Sequence, residues 1–97
     1  MWVRPGYYRD LVRDRDSRRL INLDHFKSVR VIAVTPDMQT PYWAIEAIGQ
    51  TRAEDELLAA LRTEEEARDA FTQLSDGLGV GKGFLDLSQL VPTDQRG

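Results

Sequence analysis

The 97-residue chain contains no cysteine and a single histidine, His25. Without thiols it has no disulfide, no thiolate nucleophile and no cysteine-held zinc. A hydrolytic zinc site takes three protein ligands, and one histidine does not begin a common set. Long apolar runs are also missing. The longest are "VIAV" (31–34) and "LLAAL" (57–61), far too short to span a bilayer. The opening "MWVRPGYYRD" lacks the apolar stretch of a secretory signal. These absences set the expectation of a cytoplasmic chain with no membrane partner.

What is present suits one folded domain. The composition is 41% apolar and 30% charged, ordinary for a globular protein. A chain of this size buries roughly 65% of the surface its unfolded form exposes, enough for one modest core without staples. The charge is uneven. Residues 1–33 carry eight Lys/Arg against four Asp, or +4, and residues 34–97 carry five against twelve, or −7. Eleven of the thirteen basic residues are arginine. Such a split either solvates two surfaces or turns a basic hairpin toward an anionic partner, including the acidic half of a second copy.

Apolar alternation locates the strands. In "KSVRVIAV", Val29, Val31 and Ala33 point one way and Ile32 and Val34 the other. "YWAIEAIG" continues the pattern after a loop bracketed by Pro36 and Pro41. "DLVRDRDSRRLINLD" reads as a hairpin, with Leu11 and Val12 in one strand, residues 19–23 in the other, and Asp14, Asp16 and Ser17 in the turn. Pro5-Gly6 is a turn signal within an aromatic arm. "ELLAALR" has helix-forming residues, but Thr63 and Glu66 form a capping box just after it. A helix therefore starts at 63, and 56–61 reads as a short strand, with one broken helix over 53–76 as the alternative.

The helix carries an apolar stripe at Ala67, Ala70, Phe71, Leu74 and Leu78. Its three leading glutamates suit the positive end of the helix dipole, and Glu64 and Arg68 form an i,i+4 pair. Gly77 is placed to end it. A last strand lies in "GFLDLSQLVP", which echoes the first hairpin: Ile21-Asn22-Leu23-Asp24-His25-Phe26 aligns with Leu85-Asp86-Leu87-Ser88-Gln89-Leu90. In each, Asp24 or Ser88 can bond back to the backbone and turn the chain, and the apolar residue two positions on tucks inward. His25 then lies on the exposed side of its turn.

None of the chemistry-bearing residue types forms a site. Asp24 and His25 are adjacent and point apart on an extended chain. "GLGVGKG" (77–83) fails the phosphate-loop spacing, with Asp76 where the first glycine belongs and Gly83 where Ser/Thr belongs. It also follows a helix instead of opening one. "EDE" (54–56) and "EEE" (64–66) lack the alternating spacing of a calcium loop. No catalytic, cofactor-binding or metal residue is expected, and no enzyme. Arg4, Arg9, Arg13, Arg15, Arg18 and Arg19, with Trp2, Tyr7 and Tyr8, have the composition of a nucleic-acid arm, but Asp10, Asp14 and Asp16 interrupt them and the chain is acidic.

Through Leu11-Val12-Arg13, Leu20 to Leu23 and Thr63 to Phe71, the chain resembles a loose group of short bacterial and phage proteins with a Leu-Ile-Asn-Leu strand and a Thr-x-x-Glu-Ala helix. The likeness covers residues 11–78. It implies a sheet-plus-helix fold and carries no function or site.

The expectation is an α+β domain over residues 1–97: an antiparallel meander of four or five strands with one amphipathic helix on one face. Residues 1–10 form an arm or edge strand, and 79–97 a glycine-rich connector and tail. One helix cannot cover both apolar sheet faces, so the arm, the tail or a second copy covers the other. A homodimer follows as an expectation, with a non-enzymatic protein-interaction or self-association role. The alternative is a phage or mobile-element protein that meets nucleic acid through its arginine-rich hairpin.

Overall fold

Three antiparallel strands form the centre of the computed structural model, which describes residues 1–12 and 18–95. β4 (Ser28–Val34) pairs with β5 (Tyr42–Ile48), and β5 with β6 (Glu56–Leu61). The meander expected from alternation is therefore present, and 56–61 is a strand. A register shift places Ile45 opposite Ala59 and Glu46 opposite Leu57. Leu58 is the extra residue, a bulge that lets Leu58 and Ala59 both join the main core. Leu58 to Leu61 are all buried because both faces of β6 are covered. That is why the run has no polar alternation.

The fold is α+β, with α1 (Glu64–Gly79) packed against two mixed sheets. The described residues hold seven strands, more than the four or five expected. β1 (Trp2–Arg4), β2 (Gly6–Tyr7), β3 (Ile21–Asn22) and β7 (Phe84–Asp86) complete the sheets in the orders β3-β1-β7 and β2-β6-β5-β4. Two pairings are parallel, β1 with β7 and β2 with β6. The opening segment is thus a strand that serves both sheets. Pro5 and Gly6 mark the switch between them, where the sequence suggests a turn. Gly6 is required there: a Cβ would lie 2.3 Å from the Leu87 carbonyl oxygen.

The hairpin over residues 11–23 is not formed as expected. Leu11 and Val12 belong to no strand; their amides donate to the Tyr8 carbonyl in a turn. Residues 21–22 pair with β1 instead. The turn residues Asp14, Asp16 and Ser17 lie outside the described residues. Tyr7, Val12 and Ala60 form a small second core with Leu11, Tyr42 and Leu57 against it. The arm therefore covers part of the sheet face that the helix leaves open, as one of the three alternatives required.

The six-residue echo is structural. β3 and β7 flank β1 on either side, and each runs into a 3-10 turn, Leu23–His25 and Leu87–Leu90. The capping side chains are Asn22 and Asp86, two residues earlier than the expected Asp24 and Ser88. Asn22 Oδ1 accepts from the Asp24 amide at 3.1 Å, and Asp86 Oδ1 from the Ser88 amide at 2.9 Å. The tail contributes Leu85, Leu87 and Val91 to the core.

The capping box of α1 is complete, with Thr63 and Glu66 bonding each other's backbone amides. The helix does not stop at Gly77. It runs to Gly79 with Val80 as C-cap, and Gly77 is buried within it. The residue with positive φ that follows is Gly81, at 72°. The buried line is Ala67, Ala70, Leu74 and Gly77. No helix among the described residues is long and apolar enough to cross a membrane.

Candidate interaction surface

Small residues along the buried line of α1 bring the helix close to the sheet, and large ones beside it are left out. Phe71 and Leu78 sit one step round from Ala70 and Gly77, and they are 36% and 51% exposed. The stripe read from the sequence was wider than the face the sheet can bury.

These two side chains form one wall of a groove of about 340 Å³. Leu74 and Leu23, both buried, line it with Val29 and Phe26. Phe26 is held by local structure: it ends the Leu23–His25 turn, and its amide donates to the Leu23 carbonyl at 3.0 Å. Asp24, Lys27, Ser28 and Ser75 supply the polar rim. The groove runs onto β4, the seven-residue edge strand of the larger sheet. An apolar trough beside an open strand edge can take an extended chain: backbone pairs with backbone, and alternate side chains enter the trough.

The opposite end of α1 is closed. Glu66 Oε1 accepts from the amides of Arg62 and Thr63, both at 3.1 Å. Its other oxygen accepts from the buried Tyr8 hydroxyl. The Arg62 guanidinium lies 4.6 Å from the Tyr8 ring centroid and donates to Asp10 at 2.8 Å. Burial, then the bond to anionic Glu66, pushes the Tyr8 phenol up to about 12. This cluster fastens the arm to the helix start.

The residues that drew attention in the sequence fall elsewhere. His25 is exposed on its turn, as expected. Asp24 lies 3.1 Å from the Met1 ammonium. No group of three or more His, Asp or Glu side chains placed to hold a metal occurs among the described residues. In "EDE", Glu54 accepts from the Gln50 amide, Asp55 from the Gly49 amide, and Glu56 pairs with Arg19. Among the arm arginines, Arg9 donates to the Asp94 carbonyl at 2.7 Å, and Arg4 lies 3.9 Å from Asp86. Arg13 and Arg15 lie outside the described residues. The "GLGVGKG" stretch finishes the helix and turns the chain toward β7, with Lys82 N donating to the Gly77 carbonyl at 2.8 Å.

Sequence reasoning named Phe26, Phe71 and Leu78 but assigned all three inward. The available signal was the i,i+7 spacing of Phe71 and Leu78, offset from the Ala67–Ala70–Leu74–Gly77 line. No protein-family model, no curated protein and no solved structure matches this chain.

Proposed function

We propose that this protein is a non-enzymatic protein-binding module that takes up an extended partner segment along β4. Apolar side chains of that segment enter the groove between α1 and the Leu23–His25 turn. The observation that carries the reading is the placement of Phe71 and Leu78: two large, partly exposed apolar side chains of the helix line one groove with Phe26, Ser28 and Val29, the last two at the start of the edge strand β4. Contiguous exposed apolar surface of this kind marks interaction sites.

A titration of the ¹⁵N-labelled protein with heptapeptides of alternating apolar and polar residues tests it. Amide shifts are expected along β4 and around Phe26, Phe71 and Leu78. They are expected to vanish in a Phe71→Ser/Leu78→Ser variant that keeps its fold. No shifts at millimolar peptide, or shifts confined to another surface, refute the reading.

A second reading has its own observation. Trp2 and Phe84, paired across β1 and β7, are each about half exposed, and the Arg4 guanidinium lies 5.9 Å from the Phe84 ring centroid. Adjacent aromatics with an arginine can stack the bases of a single strand. Salt-sensitive binding of a single-stranded oligonucleotide, lost in Trp2→Ala/Phe84→Ala, would favour it.

A further inference from the structure

The long edge of the larger sheet has no proline, no bulge and only one charge. Sheet edges are normally blunted by proline, a bulge, an inward charge or brevity, because a free row of amides and carbonyls recruits another strand. β2, β3 and β7, at the other sheet margins, are two or three residues long. β4 is seven residues of sequence SVRVIAV, in unbroken register with β5, and no other described strand pairs with it. Its one charge, Arg30, is met within the chain by Glu46 at 3.1 Å.

We infer that the partner of β4 is the β4 of a second copy, paired antiparallel about a two-fold axis through Val31. This rests on the protein-binding reading above and names the segment that is bound. Identical antiparallel strands in one sheet are related by an axis perpendicular to it, so both helices lie on the same side of a continuous sheet. Centring on Val31 uses both seven-residue strands from end to end. Val29 then faces Ala33 of the second copy, and Arg30 faces its Ile32. No like charges are directly opposed, and Val31 meets its own copy across the axis.

The same register supplies charge complementarity at the strand ends. Ser28 faces Val34 of the second copy, so the chain entering β4 runs beside the chain leaving the other β4. Lys27, on the groove rim, comes alongside the loop that holds Asp37. Both side chains are exposed, and neither has an ion-pair partner among the described residues. That loop also carries Met38, which is wholly exposed. Pairing brings this apolar side chain to the open end of the groove beside Phe26. The two grooves and the two loops complete each other.

A charge swap at Ile32 tests both pairing and register. Ile32 is half-buried on the face away from the helix. Ile32→Lys sets a cation against Arg30 of the second copy, twice per dimer. Ile32→Glu sets an anion there and costs the fold a comparable apolar contact. Sedimentation across the micromolar range is expected to give a dimer for the parent chain. The dissociation constants of the two variants should differ by about tenfold, with Ile32→Lys the weaker. Because the chain has no cysteine, Val31→Cys is a second readout: mild oxidation should give a covalent dimer across the axis. A dimer that both Ile32 variants weaken equally overturns the inference. A monomer that still binds heptapeptides along β4 also overturns it, yet leaves the protein-binding reading intact. A monomer that binds neither removes both.

Discussion

The two ends of α1 are built by opposite rules. At its start polar groups are tied to one another: the capping box closes, Glu66 also takes the Tyr8 hydroxyl, and Arg62 lies over the Tyr8 ring. Along its second half the helix holds the sheet through Ala70, Leu74 and Gly77 while Phe71 and Leu78 face outward. One end spends its side chains on the fold. The other leaves them for something else. Stability and binding should therefore map to different ends of one helix, which substitution can separate.

Glu66→Ala should produce the largest loss. It removes the capping box and strands the buried Tyr8 hydroxyl, a cost of about 2–3 kcal/mol, seen as a lower urea midpoint. Tyr8→Phe removes one hydrogen bond and should cost about 1 kcal/mol. It also gives a pH signature. The Tyr8 phenol titrates near 10.0 when unfolded and is pushed up to about 12 in the fold. The folded state therefore holds this proton more tightly, so the contribution is intact below the unfolded value and is lost as pH rises toward the folded one. Urea midpoints measured through that window should fall for the parent chain and less steeply for Tyr8→Phe.

Gly77→Ala should act in the other direction. The glycine lies inside a helix; its new Cβ would crowd the flexible end of Met1, whose Cε is 2.7 Å away, and meet Lys82 Cβ and Cδ at an ordinary 3.6 Å. Gaining helix propensity should stabilise the protein by up to about 1 kcal/mol in thermal unfolding. A loss would mean that Met1 cannot move aside and that the closed and open ends are less separable than drawn. The smallest effect on stability belongs to Leu78→Ser, about 0.5 kcal/mol, beside a clear loss of peptide-induced shifts. A large stability cost there would erase the contrast.

How far the sequence could be read follows from the range of each signal. β4 and β5 carry period-two alternation, and Thr63 with Glu66 marks a helix start within four residues. The same cap decides that "ELLAAL" is strand. The echo of residues 21–26 in 85–90 was legible because six matched residue types in a row are local, but the cap falls on Asn22 and Asp86 and not on the expected Asp24 and Ser88. What sits on either side of β1 was not. Strands of two or three residues have no period, and the parallel pairing of Trp2–Arg4 with Phe84–Asp86 leaves no mark on either segment. Gly77 misled because a glycine permitted by close packing looks like one that ends a helix. Phe71 and Leu78 misled for the complementary reason: hydrophobicity marks a face, but the width of that face is set by what packs against it.

The strand that serves both sheets has a kinetic consequence. Trp2 pairs with Phe84, and Gly6 with Ala59. During synthesis residues 2–7 must wait, unpaired, until partners as distant as Phe84 have left the ribosome. Contacts this distant in sequence slow folding because loop closure comes before any reward. The meander and α1 can form early from near neighbours, and the joining of the two sheets through residues 2–7 should be the last and slowest event. Until then, the apolar underside of β6 that Tyr7 covers remains open, and that interval is when the nascent protein is most exposed to aggregation.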